Sequence, residues 1–224
     1  MPINVKMVAH SVDPDGREIC SLQLQYPRFI HSEFMTHRAF SRSASSSRAI
    51  PITKLIQDAI DNHAYPVHFG AHQKGMQAEK EVANTKEAMR LWLLARDDAV
   101  RNARIMNDMG LHKQVVNRIL EPFTHINVIV TSTQWDNFFE LRAHKDAQPE
   151  IQALAVEMKR VMDNSVPEPL SWGEWHLPSV TQEEMCSFRE HILKRISTAR
   201  CARVSYNKHD GEKPSVEEDL ELYD

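Results

Sequence analysis

The stretch Thr36-His37-Arg38-Ala39-Phe40-Ser41-Arg42-Ser43-Ala44-Ser45-Ser46-Ser47-Arg48 sets hydroxyls among guanidiniums. That mixture suits a phosphate group, because arginine offers forked, charge-assisted donors and serine adds neutral ones without bulk. By composition alone the same segment reads as a solvated serine loop. A second constellation combines Arg118-Ile119-Leu120-Glu121-Pro122 with Asn137-Phe138-Phe139-Glu140-Leu141-Arg142. On a helix Asn137 and Leu141 share a face, and Arg142 at the end can project its guanidinium past the last turn. The commoner fate of such an arginine is to complement the helix dipole. His63, His68 and His72 offer imidazoles, but Pro66 and Gly70 break the helix that would align them, so no metal site is expected. Cys20 lies in a strand pattern and Cys186 in a helix pattern, contexts in which cysteine is usually inert.

Composition narrows the classes further. The chain has 224 residues, and 27 Lys and Arg against 31 Asp and Glu give a net charge of −4, so it lacks the global basic field on which non-specific nucleic-acid binding rests. No nucleic-acid or membrane partner is expected, since apolar stretches such as 126–130 are far too short to span a bilayer. No signal peptide opens at Met1, and the three cysteines, odd in number and with no closely spaced pair, fit a reducing, cytoplasmic compartment. Only 6 residues are glycine. Gly70 and Gly75 stand at phosphate-loop spacing, but Met76-Gln77 follows where Lys and Ser/Thr are required. Any nucleotide must therefore be held by side chains.

These residues need elements to position them. Ile3 to Val8 and Ile19 to Tyr26 read as strands of a hairpin around Asp13-Pro14-Asp15-Gly16. Phe29 to Ser41 reads as a short helix, Ser41 to Arg48 as a loop, and Met76 to Met109 as the longest helix, ended by Gly110. A short helix over Lys113 to Leu120 precedes an alternating strand, His125 to Thr131. Gln134 to Ala143, Glu150 to Met162 and Glu183 to Ala202 read as helices, Trp172 to His176 as loop, and Val216 to Tyr223 as the start of another helix. No repeat or linker divides the chain, so a single α+β domain over residues 1–224 is expected.

Taken together, the two constellations resemble the flavin-dependent thymidylate synthases, the ThyX family. That family carries an Arg-His-Arg stretch followed by Ser-x-Asn-Glu-x-Ser-x-Arg, and His37, Arg38, Ser41, Ser46 and Arg48 fall at matching places. Pro27, Phe29, Arg118, Pro122, Asn137-Phe138, Leu141-Arg142-Ala143, Ala147-Gln148 and Glu150-Ile151-Gln152 continue the match. The family's opening signature, Ala-Arg-Val-Ser plus an aromatic, stands near the other end as Ala202-Arg203-Val204-Ser205-Tyr206. The resemblance therefore implies a circular permutation that relocates this segment to about 197–224 and packs it beside the strand 19–26. The Pro-Phe-Glu-His segment that follows it in the family and contacts the flavin has no counterpart before Asp224. Thr36 replaces the first arginine of the triplet, Ser43-Ala44 the Asn-Glu pair, Ser47 a glycine and Glu33 a glutamine.

The resemblance implies a fold with a central, mostly antiparallel sheet and long helices, assembled as a homotetramer. It implies transfer of a one-carbon unit from methylenetetrahydrofolate to C5 of a pyrimidine deoxynucleotide monophosphate, dUMP, with FAD and NADPH. In that reading Arg142 activates the pyrimidine, and His37, Arg38 and Asn137 face the flavin. Glu33, Ser46, Ser47, Arg48 and Arg118 hold the nucleotide. The altered loop leaves open hydroxymethylation of dUMP or dCMP, and a nucleotide- or flavin-binding homologue without catalysis.

Overall fold

The computed structural model describes residues 3–205 and 215–224. Strands β1 (Asn4–Val12) and β2 (Glu18–Pro27) form the expected hairpin. Its turn uses Gly16 at φ +80°, where a side chain would be strained, and Asp13 accepts the Arg17 backbone N–H at 2.8 Å. Alternation then sorts the faces of β2: Cys20, Leu22, Leu24 and Tyr26 are buried in the main core, while Ser21, Gln23 and Gln25 point to the opposite face. β4 (His125–Ser132) repeats the rule with Ile126, Val128 and Val130 inward. β3 (Ser41–Ala44) and β5 (Glu168–Pro169) complete a five-stranded sheet of order β3-β4-β2-β1-β5, antiparallel except for the β1–β5 pair.

Against the inner face lie α1 (His31–Met35), α5 (Asp136–Arg142) and α6 (Pro149–Asp163), which contribute Phe34, Phe138, Ile151, Leu154 and Met158 to the core. A second core joins α2 (Ile52–Asp61), α3 (Thr85–Asp108), α4 (Lys113–Val116) and the 3-10 segment Asn117–Phe123 through Leu55, Ile56, Ala59, Val100, Ala103, Val116, Leu120 and Phe123. At the C-terminal end, α7 (Gln182–Ser187), α8 (Glu190–Ala202) and α9 (Val216–Tyr223) are held by ion pairs. The wholly buried Asp219 accepts from Arg200 at 2.8 Å and Arg203 at 2.9 Å, and Glu184 accepts from Arg200 at 2.6 Å. Burying a carboxylate this deeply is tolerable only with both guanidiniums in place.

Several expectations need correction. Ser41 to Ala44 is a strand, because the edge of β4 supplies its backbone partners whatever its side chains are. The helix expected over 29–41 is a 3-10 turn, Arg28–Ile30, followed by the five residues of α1. α3 begins nine residues after Met76, at Thr85, because the Asn84 side chain caps it by accepting from Glu87 N at 3.0 Å. The helix expected over 183–202 breaks at Phe188 and Arg189, both in extended conformation. Neither α2 nor β5 was apparent from periodicity, and Cys186 is exposed rather than buried.

Of the segment that resembles the family's opening signature, Arg203–Ser205 lies near the outer face of the sheet. Arg203–Ser205 is a 3-10 turn, and the buried Val204 borders a cavity of about 220 Å³ together with Gln25 of β2, Ser45 and Asn127 of β4. Tyr206 of the signature lies outside the described residues.

Candidate functional site

β3 delivers the serine-rich segment to its place. Beyond its last ladder residue, Ser45 N donates to Asn127 O at 2.8 Å and Ser45 Oγ accepts from Asn127 N at 3.1 Å, which holds the segment on β4. The chain then turns through the 3-10 segment Ser47–Ala49, and Pro51 caps α2. Asn117, fully buried, pins this turn from below: its Nδ2 donates to Ser47 O at 2.7 Å and Ile50 O at 2.9 Å. Ser47 is buried and donates its hydroxyl to Glu121 Oε1 at 2.6 Å, and Arg118 Nη1 reaches the same oxygen at 3.0 Å. Arg28, the first residue of the 3-10 turn that follows β2, lies beneath the segment with Nη1 and Nη2 each 3.4 Å from Ser45 O. Its Nε is buried without a partner among the described residues. Burial lowers the Arg28 pKa, Glu121 opposes that shift, and Arg118 adds to it. The result is a cluster of Arg28, Ser47, Arg118 and Glu121, with Arg48 exposed on the turn itself.

At the opposite end of β3 the second constellation closes. Arg142, the last residue of α5 and half-buried, donates from Nε to His37 Nε2 at 3.0 Å. His37 is only 8 % exposed, its ring edge-on to Phe138 at 4.8 Å between centroids and tilted against Phe40 at 5.9 Å. Burial first, then the charges of Arg142 and Arg42, lower the His37 pKa, so the imidazole is neutral at pH 7. Accepting at Nε2 places its proton on Nδ1. Arg42 of β3 donates through Nη1 to His37 O, and through Nη2 to Met35 O at 3.1 Å, which ties the start of β3 to the end of α1 and the turn that carries His37. With its Nε directed at His37, Arg142 has two terminal nitrogens that bond to none of the described residues.

Of the residues singled out in the sequence, the structure brings Ser47 and Arg118 together through Glu121, and His37 and Arg142 together directly. Arg38 and Asn137 are both exposed, each one residue away from the His37–Phe138 contact. Glu33, on α1, accepts from Ser32 Oγ at 2.9 Å, and no hydrogen bond or ion pair described here links it to the serine segment. Arg28, Asn117 and Glu121 were missed as site residues. Glu121 stood beside Arg118 in a quoted motif, whereas nothing local marks Arg28, whose partner lies 17 residues on. A cleft of about 880 Å³ lies elsewhere, lined by Phe29, His68, Met76, Trp92, Lys145 and Gln148 among others. No group of three or more histidine, cysteine or carboxylate side chains among the described residues is arranged to hold a metal. No helix among them is long and apolar enough to cross a membrane.

Residues 19–168 match the family model described as thymidylate synthase complementing protein. Among solved structures, a UMP/dUMP methylase, PolB from Streptomyces cacaoi, bound with 5-Br dUMP superposes with a TM-score of 0.60 at 15 % identity, over 72 % of this chain and 90 % of that one. The same methylase bound with 5-Br UMP gives 0.55 at 16 % identity, over 72 % and 88 %. No curated protein matches the sequence. The solved structures share the fold, and the family match takes in both constellations, from the serine segment to Arg142, and more than half of the sequence: the chain belongs to the thymidylate synthase complementing protein family.

Proposed function

We propose that the protein transfers a one-carbon unit from methylenetetrahydrofolate to C5 of dUMP, with FAD and NADPH, and that it acts as a homotetramer. The observation that carries this reading is the Arg142–His37 contact at 3.0 Å. A neutral imidazole that accepts from Nε orients a guanidinium without discharging it. The terminal nitrogens of Arg142 then meet a pyrimidine carbonyl and stabilise the negative charge that develops as C5 becomes nucleophilic. Ser46, Ser47, Arg48 and Arg118 hold the 5′-phosphate at the other end of β3. No cysteine nucleophile is required, and burial raises the Cys20 thiol to about 11.

The donor set fits a flavin. Arg38 offers an exposed guanidinium to an anionic group and Asn137 an exposed amide to a ring edge, and the exposed Met35 and Leu141 add apolar surface nearby in sequence. When bound, the flavin supplies hydride transfer, replenished by NADPH. The exposure of Arg38, Arg48, Arg118 and Asn137 supports a site completed by a neighbouring copy. Flavin binding is tested by titrating FAD with the purified protein: quenching of flavin fluorescence with saturation is expected. A colourless protein that leaves FAD fluorescence unchanged would contradict it.

A further inference from the structure

Two residues at the serine segment belong to none of the matched motif positions, and both are charged. Arg28 lies under Ser45 with its Nε buried and unpartnered among the described residues and its terminal nitrogens 3.4 Å from a single carbonyl, a distance at which little hydrogen bonding is left. A guanidinium has five N–H donors, so most of this one's capacity is unused inside the protein. The residue as a whole is partly exposed, although its Nε is sealed. Glu121 is half-buried and binds, through one oxygen, both the Ser47 hydroxyl and the Arg118 guanidinium. It holds the Arg118 guanidinium, which would otherwise meet the phosphate from free rotamers, and takes up the single O–H of Ser47, which fixes the turn. It also places one negative charge beside the guanidiniums of Arg28 and Arg118, with Arg48 exposed on the adjoining turn, while Lys113 Nζ is engaged by Ala49 O at 3.2 Å.

We propose that Arg28 and Glu121 form the buried half of the phosphate site: Arg28 as a direct phosphate ligand, and Glu121 as a positioning residue whose charge makes the site prefer a nucleoside monophosphate over a diphosphate. The inference rests on the nucleotide reading above and deepens it. With Glu121 in place, the three guanidiniums leave two net positive charges, which matches a phosphomonoester that is close to a dianion at pH 7. A diphosphate brings a further negative charge up against the Glu121 carboxylate. Removing that charge relieves the repulsion and frees the Arg118 fork.

The test is binding of deoxyuridine, dUMP and dUDP, measured by calorimetry on the full chain. Arg28→Gln is expected to weaken dUMP binding roughly 10- to 100-fold, the worth of a charge-assisted contact, and to leave deoxyuridine unchanged. Glu121→Gln is expected to raise the affinity for dUDP relative to dUMP about fivefold or more, a change of ratio that mere loosening of the loop would not produce. If Arg28→Gln fails to fold, Arg28→Lys carries that arm: it keeps the charge but not the fork, and is expected to show a smaller loss confined to the phosphorylated ligands. Arg48→Ala separates the two levels of argument. If it abolishes dUMP binding while neither the Arg28 nor the Glu121 variants shift any ratio, the inference is wrong and the nucleotide reading stands. If the wild-type protein binds dUMP no better than deoxyuridine, the nucleotide reading itself falls.

Discussion

At the scale of single residues, the account turns on what a guanidinium does when one of its nitrogens is already held. Arg142 could have been an ordinary cation at a helix C-terminus, and its place at the end of α5 fits that role. The bond from its Nε to a buried histidine does not, because it restricts the side chain at a cost in entropy without pairing its charge. Arg142→Lys keeps the charge and loses the fork. Turnover is expected to fall roughly 100-fold or more, the scale of losing one preorganised donor to a developing oxyanion, while the melting temperature moves little. Unchanged turnover, measured beside thermal melts of both proteins, would return Arg142 to the helix-capping role. The residue identities here were legible in the sequence; their contacts were not. His37 and Arg142 are 105 positions apart, and no local pattern encodes that the first accepts from the second.

Elements explain which parts of the fold could be read and which could not. β2 and β4 announced themselves because one face is buried in the core, so alternation shows in the side chains. β3 was hidden, since Ser41, Arg42 and Ser43 carry no apolar period and the strand exists by backbone pairing alone. Helix α3 lost its first expected turns to a bridge between Gly70 and Glu81, where Ala78 and Val82 imitate helical spacing in a non-helical segment. Trp172 to His176 reads as loop and lies in one, 171–180, and what holds it is polar: His176 lies between Ser11 and Ser21, each at 2.9 Å, so it joins the loop to β1 and β2. Burial, then the nearby His10, lowers His176 to about 4. Its folded value lies below the unfolded 6.5, so the unfolded chain takes up the proton first and the loop loses stability as pH falls from about 6.5 towards 4. Protection of the amides over 171–180, taken relative to the intrinsic exchange rate at each pH, should therefore fall across that window, and in His176→Gln, which keeps hydrogen-bonding groups but cannot be charged, the fall should be much reduced. An identical pH response in the variant would assign the effect to other groups.

For the whole molecule, the sheet, its order and the class of fold follow from the paired strands and two cores, and the family match agrees with them. The arrangement of the chain is a further proposal: the opening segment of the family stands at the C-terminal end here. Val204 bordering a cavity with Gln25 and Asn127 supports it, as does the anchoring of α9 to the signature through the Arg203–Asp219 pair. A rearranged chain that places residues 190–224 ahead of residue 3 through a flexible linker is expected to fold and bind FAD, because closing a longer loop adds only about 0.6 kcal/mol per doubling. Failure of that chain to give a cooperative melt would count against the permutation. The central claim is chemical, that this site replaces the hydrogen on C5 of dUMP, and the most direct measurement is tritium release from C5-labelled dUMP supplied with FAD, NADPH and methylenetetrahydrofolate. The account predicts release that requires the folate and is lost in Arg142→Lys; wild-type protein that binds both FAD and dUMP yet releases no more tritium than that variant would contradict it.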